Sequence, residues 1–119
     1  MSKIDKASIY VNAQNLFKVL YYAQFDAPKR DRITLFNRML DHCEAIISSF
    51  SLSYLTERKI ENIEVMMAHF EALKVEIRFA IDSTIIRREG TQTELRDLMS
   101  RMQDGMDKWR SFIISARQD

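Results

Sequence analysis

Glycine, proline and cysteine are almost missing from this chain: Gly90, Gly105, Pro28 and Cys43 are their sole representatives among 119 residues. A β-sandwich or barrel needs a turn every ~8–12 residues, and the residues that build such turns are lacking. A lone cysteine excludes both a disulfide framework and a cysteine-based zinc site. No stretch reaches the ~18 consecutive apolar residues of a membrane-spanning helix. The opening Met1-Ser2-Lys3-Ile4-Asp5 also lacks the apolar run of a signal peptide. These absences predict a cytoplasmic protein with no membrane partner. A dominant charge is missing as well: 18 Lys+Arg face 17 Asp+Glu, for a net +1. Bulk charge therefore does not mark a nucleic-acid binder. What remains is 46% hydrophobic and 29% charged. That suffices for one real core in 14.1 kDa, and the chain is too short for two. Long helices within one domain, residues 1–119, are the expectation.

Start and stop signals divide the chain into four. A first periodic segment runs from Lys3 to Phe25 and ends at Asp26-Ala27-Pro28, where proline suits the first turn of a new helix. The second continues to Ser53, with Ile33, Phe36, Met39, Leu40, Cys43, Ile46, Ile47, Phe50 and Tyr54 repeating at three-four spacing. Thr56 reads as the N-cap of a third helix reaching Arg88. Gly90 reads as its C′ stop, with Arg87 and Arg88 in a last turn where the dipole favours cations. Thr91-Gln92-Thr93-Glu94 then has the form of a capping box opening a fourth helix. Its apolar face holds Leu95, Leu98, Met99, Met102, Met106, Trp109, Phe112, Ile113 and Ala116. Short connections make consecutive helices antiparallel neighbours, which gives an all-α, up-down-up-down four-helix bundle.

The helices are not equivalent. The second and fourth carry one apolar stripe each, whereas the third carries two. Its core stripe is Ile63, Met66, Phe70, Leu73, Ile77, Ala80, Ile81 and Thr84. On the opposite side Val65, Ala68, Ala72, Val75, Phe79 and Ile86 recur at spacings of 3, 4, 3, 4 and 7. The first helix is similar but weaker, with Ile9, Ala13, Leu16, Phe17 and Leu20 on one side and Ile4, Ala7, Val11, Tyr22 and Phe25 on another. A small bundle has one core, so a second stripe marks a subunit interface, a helix that is simply more buried, or scattered surface hydrophobes. Regular spacing favours the interface.

No catalytic constellation stands out. His42 and His69 fall on different helices, with no serine elbow nearby. The Glu-x-x-His pairs of a di-iron bundle are absent, as are a P-loop and a Rossmann fingerprint. Glu57, Glu61, Glu64 and Glu71 follow helical spacing along a solvated face. Cys43 falls in an apolar stripe as a buried, inert thiol. Trp109 reads as a core anchor whose N–H needs a partner. Mid-helix Gly105 reads as a point of close helix approach. Neither enzyme activity, nor a cofactor, nor a metal is expected.

One feature resists a purely structural account. Lys29, Arg30, Arg32 and Arg38 open the second helix, although cations oppose the dipole there. In an up-down bundle Lys29, Arg30 and Arg32 share their end with Arg87 and Arg88, against Asp26, Asp31 and Glu89. Repeated around an oligomer, this end becomes a basic rim for phosphates; the alternative is a mixed, solvated surface.

At these residues the sequence resembles a known family. Pro28-Lys29-Arg30-Asp31-Arg32-Ile33-Thr34-Leu35 resembles the opening of helix two in the accessory variability determinants, the four-helix partners of reverse transcriptases in diversity-generating retroelements. Arg58-Lys59 and the run Phe70 to Ala80 are similar to the "LE-LR-LA" cadence of their third helix. Met99 to Phe112, with Met102, Gly105 and Trp109, resembles their closing "IGRMLGGW". The likeness covers residues 25–117 and extends to a sister group, proteins encoded in intervening sequences of large-subunit ribosomal RNA. That group has an "NIAEG"-like stretch where Cys43 to Ser49 here reads CEAIISS, which favours the retroelement branch. The resemblance implies a homopentameric barrel that binds a reverse transcriptase and its template RNA, a non-catalytic role. Members are typically strongly basic, unlike this chain. Lys29, Arg30, Arg32, Lys74, Arg78, Arg87 and Arg88 are the positions that could match. The alternative is an intervening-sequence-type oligomeric scaffold without a reverse transcriptase.

Overall fold

A computed structural model describes residues 3–55 and 57–118. Four helical rods form a body of 51 × 23 × 18 Å, and no strand occurs among the described residues. Helix α1 spans Lys3–Ala23 and closes with a 3₁₀ turn, Gln24–Asp26. Helix α2 runs through three contiguous segments: Lys29–Asp31, a π-helical turn Arg32–Phe36, and Asn37–Leu55. Helix α3 spans Lys59–Asp82 and α4 spans Glu89–Gln118. Each of α1 and α3 packs against both α2 and α4, so α1 and α3 stand diagonally across the bundle.

One continuous core joins the inner stripes, with Leu16, Phe36, Ile46, Met66, Leu73 and Met106 fully buried. Trp109 is buried at the end away from Pro28 and stacks on Phe112 at 5.5 Å. Its Nε1–H donates to Ser53 Oγ at 3.1 Å, and the Ser53 hydroxyl donates onward to the Phe50 carbonyl at 2.7 Å. The indole thus has its required partner without reaching water. Gly105 also does what its position suggested. A Cβ there would lie 3.1 Å from Ile9 Cγ1 of α1, so the missing side chain lets α1 approach α4.

Local chemistry displaces three sequence-based boundaries. The third helix does not continue to Arg88; it stops at Asp82. Thr84 adopts φ 58°, in the left-handed region. The Ile85 N–H then bonds the Ala80 carbonyl at 2.9 Å and the Thr84 N–H bonds Ile81 at 3.1 Å, the two reverse bonds of a Schellman stop. Glycine usually occupies that position, so the signal at Gly90 misled. Gly90 instead lies in the first turn of α4 with negative φ, and Thr91 to Glu94 are already helical rather than a capping box. Ile86, assigned to the outer stripe, turns inward from the loop and is buried, while core-assigned Thr84 is exposed.

At the other connection Pro28 is the N-cap of α2, its carbonyl accepting from Asp31 and Arg32. The cap of α3 is Arg58; Thr56 lies outside the described residues. In α2 the π turn holds one extra residue, which rotates what precedes it relative to an α-helical continuation. Leu35 is therefore buried beside Phe36, and Ile33, expected inside, is exposed. Tyr54 and Ala116, expected on inner stripes, are exposed too.

Candidate functional site

Two surfaces are left over once the core is filled. The first is the outer side of α3. Six helical turns whose inner positions are all buried still carry Val65, Val75 and Phe79 on the far side, with Val75 63% and Phe79 56% exposed. Ala68 is exposed between them and Ala72 is half-buried. Five of the six residues predicted for the second stripe thus share the outer side of α3, and Ile86 alone departs. Diagonally opposite, α1 presents Val11 and Tyr22, continued by Phe25; Tyr22 is 66% and Phe25 58% exposed. The side chains of Ile4 and Ala7, predicted for the same row, lie outside the described residues. Tyr21 extends this surface, its ring 5.6 Å from Phe25 and 5.3 Å from Tyr22. Burying such rows would release roughly 25 cal/mol for each Å² covered.

The second surface is the end where the α1–α2 and α3–α4 connections meet. Arg88 of one connection clasps Asp26 of the other, Nε to Oδ2 at 3.0 Å. The predicted juxtaposition of the two groups of cations is therefore present. Lys29, Arg30, Arg87 and Arg88 are exposed, and Arg32 is half-buried. Arg30 pairs loosely with Asp31 at 3.7 Å. No acid lies within 4 Å of Lys29, Arg32 or Arg87 among the described residues. The early stop of α3 changes the electrostatics. Arg87 and Arg88 do not ease a helix C-terminus; they immediately precede the α4 N-terminus, where the Arg88 carbonyl accepts from Gln92 at 3.0 Å. Both helices that start at this end, α2 and α4, thus begin among cations that oppose their dipoles, offset by one acid in each first turn, Asp31 and Glu89. Their unpaired N–H groups add partial positive charge to the same surface. Of the other matching positions, Arg78 is exposed, whereas Lys74 is engaged by Glu71 at 2.7 Å and by Gln103 at 2.7 Å.

Sequence reasoning missed one cluster. His42 of α2 and His69 of α3 face each other, Nδ1 to Nδ1 at 3.0 Å. His42 Nε2 lies 3.5 Å from Glu76 Oε1, and Arg38 Nε donates to Glu76 Oε2 at 3.2 Å. The signal was available as Arg38 and His42 four apart on α2 and His69 and Glu76 seven apart on its antiparallel neighbour. Reading it requires the register between the helices. A proton on one Nδ1 suffices to join the rings, and the cluster ties α2 to α3 with no nucleophile in it. No group of three metal-ligating side chains gathers among the described residues. The Glu57, Glu61, Glu64 and Glu71 row is exposed, Glu64 pairing with Arg110 at 3.1 Å. Burial, and then the charge of Glu44, pushes the Cys43 thiol up to about 12, which keeps it protonated and unreactive.

No helix among the described residues is long and apolar enough to cross a membrane. No protein-family model, curated protein or solved structure matches this chain.

Proposed function

We propose that the chain is a non-catalytic subunit that self-associates through the outer side of α3 and offers its basic end to an RNA-bound polymerase. The observation carrying this reading is the row Val65, Ala68, Val75 and Phe79, uncovered on a helix whose inner positions are already buried. A monomer gains nothing from that row and loses solubility by it. The sequence resemblance supplies the rest: a homopentamer serving a reverse transcriptase of a diversity-generating retroelement and its template RNA. The basic end supports the RNA part, because Lys29, Arg30, Arg32, Arg87 and Arg88 stand at two helix N-termini. Multiplied around a ring, that surface holds phosphates without reading bases.

Co-expression with a reverse transcriptase of a diversity-generating retroelement tests the reading. The polymerase is expected to co-purify with the assembled protein. Structured RNA should bind with steep salt dependence and little sequence preference. Replacing Arg30, Arg32 and Arg88 by glutamine should flatten that salt dependence and leave the oligomer intact. An intact oligomer that captures no polymerase and no RNA would return the chain to the scaffold class of the intervening-sequence proteins.

A further inference from the structure

We infer that the groove between α1 and α2 binds a small, flat heterocycle of the guanine type, at a site apart from the outer row of α3 and from the basic end. The core does not close the seam where α1 meets α2. A groove of about 560 Å³ is left there, within the ~300–1,000 Å³ of small-molecule sites. Phe17 and Tyr21 of α1 form one wall and Ile47 of α2 the other. Phe17 and Ile47 are half-buried against the core, while Tyr21 is 42% exposed.

The walls set the shape of the occupant. The rings of Phe17 and Tyr21 lie within 12° of parallel, with centroids 6.4 Å apart. Tyr21 is held in that orientation by edge contacts with Tyr22 at 5.3 Å and Phe25 at 5.6 Å. A preset aromatic wall lowers the ordering cost of binding and favours a planar π-system over an aliphatic chain. Polar groups set the chemistry. Lys18 of α1 and Glu44 of α2 line the same groove and are exposed. Among the described residues neither has an oppositely charged side chain within 4 Å. A carboxylate only accepts hydrogen bonds and an ammonium only donates them. The occupant therefore carries donors on one edge and acceptors on another. Guanine has both: its N1–H and N2 amine face a carboxylate side by side, and its O6 and N7 accept from a lysine. Adenine offers the carboxylate a single amine.

Titration of the intact protein with guanosine monophosphate, followed by amide chemical shifts, tests the site. Adenosine monophosphate and ribose 5-phosphate, which keeps the phosphate and lacks the base, are run beside it. Guanosine monophosphate should shift the amides around Lys18, Tyr21, Glu44 and Ile47. It should bind at least about fivefold more tightly than adenosine monophosphate, the effect of one further hydrogen bond to a charged group. Tyr21→Ala should weaken it at least about fivefold, as removal of a base–aromatic stack does. Glu44→Gln should erase or reverse the preference, because a glutamine amide pairs with adenine N6 and N7; a merely structural Glu44 would leave it unmoved. Both side chains are exposed, so circular dichroism should stay unchanged in each variant. Equal binding of ribose 5-phosphate would mean that the basic end takes the phosphate and would overturn the site. Shifts confined to α3 and α4, or parent-like binding by Tyr21→Ala, would overturn it too. A parent that ignores guanosine monophosphate while Tyr21→Ala breaks its assembly would give the groove to a second copy, and overturn the proposal likewise.

Discussion

Helices α3 and α4 pack against the same core and differ in what they show to the outside. Nearly every turn of α4 buries a large residue, with Leu95, Leu98, Met102, Met106, Trp109 and Ile113 inside. Its outer positions are Asp97, Arg101, Asp104 and Lys108, joined in two i,i+4 ion pairs of 3.1 and 3.0 Å. Such a helix is finished by water. Helix α3 buries Ile63, Met66, Phe70, Leu73 and Ile77 just as completely, yet its far side holds Val65, Val75 and Phe79 where α4 holds ion pairs. Core formation explains α4 fully and α3 only by half. The surplus on α3 is what a subunit contact would use.

Stability separates the two sides most sharply. Trp109→Ala in α4 and Phe70→Ala on the inner side of α3 should each cost about 3–5 kcal/mol, the price of truncating a buried aromatic. Phe79→Ala, nine residues along from Phe70 but outside, should alter the stability of dilute protein by less than about 0.5 kcal/mol. Chemical denaturation of the three variants checks this. Comparable losses for Phe79 and Phe70 would mean the two sides of α3 are not different in kind.

Association should show the reverse order. Val75→Glu with Phe79→Glu places charge in the apolar row and should weaken self-association by at least about 2 kcal/mol, roughly thirtyfold. Helical content should stay unchanged. An equivalent exposed substitution on α4, Asp104→Lys, should leave the assembly as it is.

The smallest effect concerns the stop between the two helices. A β-branched residue at positive φ costs roughly 1–2 kcal/mol relative to glycine. The entropy that glycine adds to the unfolded chain returns part of this. Thr84→Gly should therefore stabilise the protein by up to about 1 kcal/mol, read as a modest rise in melting temperature. A loss of stability would mean that the Thr84 hydroxyl bond to the Ser83 carbonyl, at 2.6 Å, outweighs the strain.

That stop also shows where the sequence was legible. Inner stripes were readable because periodicity is a property of one helix: Phe70, Leu73 and Ile77, or Met102, Met106 and Trp109, declare themselves without neighbours. The outer row of α3 was readable for the same reason. Three features depended on more than one helix or on an unusual residue. Thr84 performs a turn that glycine normally performs, so the end of α3 was placed six residues late and Ile86 was put on the wrong side. The π turn at Arg32–Phe36 moved Leu35 inward and Ile33 outward, and no residue type announces an inserted position. The His42–His69 contact needs the register between α2 and α3, which spacing along either helix does not supply. Arg87 and Arg88 were placed at the correct end with the wrong electrostatic role, since that role follows from which helix they adjoin.

Light scattering on the parent chain and on the Val75→Glu, Phe79→Glu variant tests the central claim most directly. The parent should have a mass several times the 14.1 kDa chain mass, five times for the ring that the resemblance implies. The double variant should fall towards one chain while keeping its circular dichroism. A parent that stays at 14.1 kDa across the concentration range would contradict the account, because the outer row of α3 would then have no second copy to cover it.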